Sequence, residues 1–88
     1  MERSTAKTRA LVGARVREER HAQGISLRVL SNMTGVDYKR LCQLENGRAN
    51  VTLDTLAKVA EGLDVPLVRF FEFYGGSTFE YSQVDGRR

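Results

Sequence analysis

The sequence predicts an all-α fold of five short helices, and three observations carry that expectation. Apolar residues recur at helical spacing from Thr8 to Tyr74. Ser26, Asp37, Thr52 and Pro66 stand where such runs begin, and Gly24, Gly47 and Gly75 stand where they end. Strand-like alternation is confined to the residues after Gly76.

Residues 1–7 are polar and predict a loose arm. The first helix is expected from about Thr8 to Gln23, with Val12 and Val16 as its buried stripe and Arg20 continuing it. Gly24 suits the left-handed residue that follows a helix. Ser26 is the N-cap of a second helix, whose inward residues are Leu27 or Val29, Leu30 and Met33. A tight turn at Thr34-Gly35-Val36 leads to a third helix, capped by Asp37 and ended by Asn46-Gly47. After the loop 48–51, Thr52 caps a fourth helix over about 53–61, with Leu53, Leu56, Val59 and Ala60 at core spacing and Gly62 at its end. Pro66 opens a fifth helix, at the position where a missing N–H costs nothing, and Gly75-Gly76 stops it. The remainder, 75–88, alternates at Phe79, Tyr81 and Gln83 and reads either as a short strand or as a tail. The division is thus an arm (1–7), one helical domain (8–74) and a tail (75–88).

Eighty-eight residues suffice for one domain near the small end, where pairing of two copies is a common source of stability. No run approaches the about 18 apolar residues of a membrane span, and no apolar leader opens the chain. One cysteine cannot close an internal disulfide, which fits a reducing cytoplasm. One His and one Cys offer no metal-ligand cluster, and no nucleophile, base or cofactor loop stands together, so no enzyme and no cofactor is expected. His21 reads as a surface residue.

Charge is uneven. Residues 1–48 hold ten Lys/Arg against five Asp/Glu, a net +5, while residues 49–88 hold four against six, a net −2. The half carrying the second and third helices is therefore the polyanion-facing half, with a solvated basic face as the plain alternative. At about 100° per residue, Leu41 and Leu44 of the third helix point one way, with Glu45 at their edge. Tyr38, Lys39, Cys42, Gln43 and Asn46 crowd the other side. A helix anchored by two leucines that turns amide, ammonium and phenol groups outward suits the major groove of DNA. A wet helix face is the plain alternative for any one of these residues taken alone. Arg28, Arg40, Asn46, Arg48 and Asn50 flank this helix and are expected to touch phosphate, with solvation an equal alternative for Arg40. Cys42 reads as a small residue that permits close approach. Phe70, Phe71, Phe73, Tyr74, Phe79 and Tyr81 are six of the chain's seven aromatics. Three of them within 70–73 cannot all face inward on one helix, so Phe70, Phe71, Phe73 and Tyr74 predict a self-complementary patch and a two-fold homodimer.

The helix order and the turn between the second and third helices resemble the phage Cro/repressor-type (XRE-like) helix-turn-helix family, over roughly residues 8–73. The matching residues are Arg20 with Gly24-Ile25-Ser26, then Leu30, Gly35-Val36-Asp37, Leu41 and Leu44-Glu45-Asn46-Gly47. Thr52-Leu53, Leu56, Val59-Ala60 and Leu63-Asp64-Val65 continue the match. Asp37, the 50–53 loop and Phe70-Phe71 look most like the controller proteins of restriction–modification operons. The resemblance implies a compact lambda-repressor-like domain that binds double-stranded DNA. It places Tyr38, Lys39 and Gln43 at base-reading positions and Asn46 and Arg48 in a backbone-contacting loop. It also joins Arg20 to Glu45 in a salt bridge between the first and third helices. Two residues depart from the family pattern. Leu27 replaces a phosphate-touching Gln, and Ser31 replaces an Ala beside Gly35, which is expected to loosen the packing slightly.

The leading expectation is a homodimeric, sequence-specific transcriptional regulator on a pseudo-palindromic operator. Two rivals remain: an antitoxin whose tail 77–88 takes a protein partner, and an interaction module that has lost DNA binding. The basic half argues against the latter.

Overall fold

A computed structural model describes residues 2–73 of the chain. Its elements are α1 (Glu2–Ala22), α2 (Leu27–Thr34), α3 (Tyr38–Glu45), α4 (Leu53–Leu63) and a 3-10 turn (Leu67–Phe71). Four α-helices thus replace the five expected among the described residues. Five residues entered through Pro66 close only short bonds of the 3-10 type, Arg69 N–H to Pro66 O (2.9 Å) and Glu72 N–H to Arg69 O (3.4 Å). The possible strand at 79–83, Tyr74 and the tail lie outside the described residues.

The core is one cluster: Val12 and Val16 of α1, Leu30 of α2, Val36, Leu41 and Leu44 of α3 and its approach, Leu56, Val59, Ala60 and Leu63 of α4, and Phe70. Two expected core residues, Met33 and Leu53, are outside it, and of the alternatives Leu27 and Val29 it is Leu27 that packs against the core. Val29 is 42 % exposed, Met33 50 % and Leu53 66 %. The two α2 residues share one outer face because Leu27 and Leu30 take the inner one. Leu53 opens α4 one turn before Leu56, ahead of the point where that helix meets the body.

The caps fix where the short helices begin. Ser26 Oγ accepts from Val29 N–H at 3.1 Å, and Thr52 Oγ1 accepts from Thr55 N–H at 3.1 Å. The Asp37 carboxylate accepts from the backbone N–H groups of Lys39 (3.0 Å) and Arg40 (3.3 Å). Between α2 and α3, Gly35 sits at φ 76° and its N–H donates to Ser31 O at 2.8 Å. Ser31 does not loosen this turn: its hydroxyl donates to Val36 O at 2.6 Å and ties the two helices. α4 runs past Gly62, and the left-handed residue at its end is Asp64 (φ 58°). Gly62 serves packing instead, since a Cβ there would stand 2.5 Å from Thr34 Cγ2.

α1 starts at Glu2, so the expected arm is helical. No Gly or Pro interrupts residues 2–12, and Ala6, Lys7, Arg9, Ala10 and Leu11 are good helix formers. No helix among the described residues is long and apolar enough to cross a membrane.

Candidate nucleic-acid interface

The orientation of α3 is set by what it buries. Leu41 is 0 % exposed and Leu44 2 %, while Lys39, Arg40 and Gln43 are exposed and Tyr38 is 42 % exposed. Burying the two leucines turns Lys39 and Gln43, one turn apart, to the outside together. Cys42 is half-buried beside them. The guanidinium of Arg28 from α2 lies 5.1 Å from the centre of the Tyr38 ring, so the helices on either side of the turn meet on the outer face as well.

On the inner side Arg20 and Glu45 form a two-pronged ion pair, Nε to Oε2 at 2.7 Å and NH2 to Oε1 at 2.8 Å. Arg20 NH1 also donates to Ile25 O at 3.0 Å, so one guanidinium clamps α1, α3 and the approach to α2. Its pKa is raised by the hydrogen bond to Glu45, against the opposing effect of burial. The Glu45 side chain is 1 % exposed. A charge so enclosed requires its partner.

Arg17 belongs to the same cluster, although nothing in its sequence neighbourhood marks it. Its Nε reaches Glu45 Oε1 at 3.4 Å, and its NH2 donates to Asn46 Oδ1 at 3.0 Å. Its partners lie 28 and 29 positions along the chain, beyond any local pattern. Asn46 in turn donates from Nδ2 to Cys42 O at 2.9 Å. Both polar atoms of the exposed Asn46 side chain therefore have a partner within the protein, closing the end of α3.

α1 can approach this closely because two glycines lie at the crossing. A Cβ on Gly13 would stand 2.2 Å from Leu44 O, and one on Gly47 would stand 2.8 Å from Ala10 Cα. Gly47 also holds φ at 71°, turning the chain from α3 into the loop that exposes Arg48 and Asn50. The structure thus gathers Arg28, Tyr38, Lys39, Arg40 and Gln43 along α3 and its approach, with Arg48 and Asn50 just beyond.

The aromatic group is divided. Phe70 is 0 % exposed and fills the core, so it has no surface to offer a second copy. Phe71 and Phe73 are half-buried against the core, their rings 6.5 Å apart. Val68, between them and α4, is 57 % exposed. Among the described residues no group of His, Cys, Asp or Glu side chains is placed to hold a metal ion.

The model of the Helix-turn-helix family HTH_3 matches residues 16–70. An HTH-type transcriptional regulatory protein of Methanocaldococcus jannaschii is 37 % identical over 62 residues, which are 70 % of this chain and 20 % of that one. An uncharacterized transcriptional regulator in the ATPase CF(0) region of Rhodospirillum rubrum is 34 % identical over 62 residues, 70 % of this chain and 57 % of its own. The chain therefore spans a fifth to somewhat over half the length of these relatives. The crystal structure of the restriction-modification controller protein C.AhdI from Aeromonas hydrophila superposes with a TM-score of 0.73 at 32 % identity, covering 75 % of this chain and 96 % of that one. The clp gene regulator ClgR from Corynebacterium glutamicum gives 0.69 at 31 % identity, covering 73 % and 83 %.

Proposed function

The chain belongs to the helix-turn-helix (XRE-like) family of transcriptional regulators, and on that premise we propose that it binds a specific duplex operator as a homodimer. α3 enters the major groove. Gln43 pairs with adenine N6 and N7, Lys39 with guanine O6 and N7, and Tyr38 meets a phosphate or a thymine methyl. Arg28, Arg40, Arg48 and Asn50 hold the duplex backbone and set the register. Two copies related by a two-fold axis would present their reading helices to successive grooves, about 34 Å apart. Val68, Phe71 and Phe73 are the described residues that suit the contact between them, together with Tyr74.

One observation carries this reading: the polar face of α3 is exposed and its cations have no carboxylate against them among the described residues. A helix turned to read outward has that form. Selecting bound sites from random duplexes tests binding, symmetry and spacing together. The expected result is a pseudo-palindrome, with Gln43→Ala losing about 1–3 kcal/mol on the selected site and relaxing one base pair per half-site. Equal weakening on every sequence would remove the reading role.

A further inference from the structure

We propose that the first turns of α1 form a second phosphate-contacting segment, outside the helix-turn-helix, in which Lys7 and Arg9 hold the duplex backbone flanking each half-site. The inference rests on the DNA-binding reading above.

The cations of the described residues fall into two groups. Arg15 is paired with Glu18 and Glu19, Arg17 and Arg20 with Glu45, and Arg69 with Glu19 and Glu72. These guanidinium groups hold the body of the protein together. Lys7 and Arg9 make no ion pair among the described residues, as is also true of Arg28, Lys39, Arg40 and Arg48 in and around the reading helix and of Lys58 on α4.

Position supplies the second argument. Among the α1 side chains whose burial is described, from Thr5 onward, the first buried one is Val12, so the helix begins well ahead of the body it rests on. The part that overhangs runs beside the loop after α3. Ala10 touches Gly47 closely, and Lys7 lies one turn earlier on the side of α1 that meets that loop. Thr8 and Arg9 share with Ala49 and Asn50 the wall of a cleft of about 160 Å3 whose remaining lining, from Val12 to Phe71, is apolar. Two positions apart, Lys7 and Arg9 point to opposite sides of Ala10, so they flank the loop of Arg48 and Asn50, the residues proposed to hold phosphate, from either side. Cations at the edge of a docked helix contact backbone and not bases, so they add affinity without adding sequence preference.

The test uses the full chain and a duplex carrying the selected operator with extended flanks. Binding is measured across a salt series for Lys7→Gln, Arg9→Gln and the double variant. Each single change is expected to flatten the slope of log K against log salt by about 0.9, and the double change by about twice that. The ranking of sequences and the melting temperature should stay as they are. Trimming the flanks to the bare operator should erase the difference between the native chain and the double variant. An unchanged slope in the double variant overturns the proposal, whether or not the variant assembles more weakly with a second copy. That failure is distinguishable from failure of the underlying reading, in which the native chain itself prefers no duplex and Gln43→Ala changes nothing.

Discussion

On its inner side α3 meets α1 through Leu41, Leu44 and a Glu45 carboxylate enclosed by Arg20 and Arg17. On its outer side it ends in Tyr38, Lys39, Arg40 and Gln43, which face solvent. The same eight-residue helix thus carries charges answered within the protein and charges left for something outside it. An answered charge is a matter of stability and an unanswered one a matter of binding. Mutations on the two sides should then move different measurements.

The largest effect is expected at Glu45. Glu45→Ala leaves the nearly buried Arg20 without its partner, a loss of about 3–5 kcal/mol. For a domain of this size that lowers the melting temperature by more than about 10 °C. The raised Arg20 pKa fixes the sign of the pH dependence. A cation whose folded pKa is raised stabilises fully below its unfolded value and loses that effect only as pH rises through the folded one, here far into alkali. Arg20 should therefore contribute no loss of stability across the neutral range. A Glu45→Ala protein that melted normally but bound DNA poorly would place Glu45 on the reading side and break the comparison.

Gly13→Ala comes next. Alanine favours a helix interior by about 1 kcal/mol over glycine. At this position the added carbon meets a backbone carbonyl at 2.2 Å, which no rotamer change relieves. Clash should win, with α3 pushed from α1 and a net loss of about 1–3 kcal/mol in denaturant unfolding. Because α3 itself moves, operator affinity should fall with it. Gly13 is thus where the two sides become coupled, and a stabilised Gly13→Ala protein would show that the crossing is looser than the distances indicate.

How much of this was legible in the residues depends on the range of the interactions. The caps at Ser26, Asp37 and Thr52 are local and were readable from single side chains. So was the split of α3, because periodicity alone places Leu41 and Leu44 opposite Lys39 and Gln43. The Arg20–Glu45 pair was reached only through the family resemblance, being 25 positions apart. Arg17 and Gly13 left no usable signal, and Gly62 suggests a helix end where the structure uses it for packing. Their roles arise where helices cross, and spacing along one helix does not say which neighbour crosses it. Met33 and Leu53 misled for the complementary reason: an apolar residue at core spacing is buried only where another element covers it. α1 starts earlier than the polarity of residues 1–7 suggests, because residues 2–12 contain no helix breaker.

The smallest expected effect gives the sharpest division, because it compares neighbours in one loop. Asn46 and Arg48 were both assigned to phosphate from the sequence, yet the structure treats them differently. Asn46 accepts from Arg17 and donates to Cys42 O, whereas the Arg48 side chain stands exposed. Arg48→Ala should leave melting unchanged and flatten the salt slope by about 0.9. Asn46→Ala should do the reverse, losing about 1 kcal/mol of folding stability with its two hydrogen bonds while the slope holds. If Asn46→Ala changed the slope instead, its amide must leave Arg17 and Cys42 on binding. The line between answered and unanswered groups would then lie one residue further into α3.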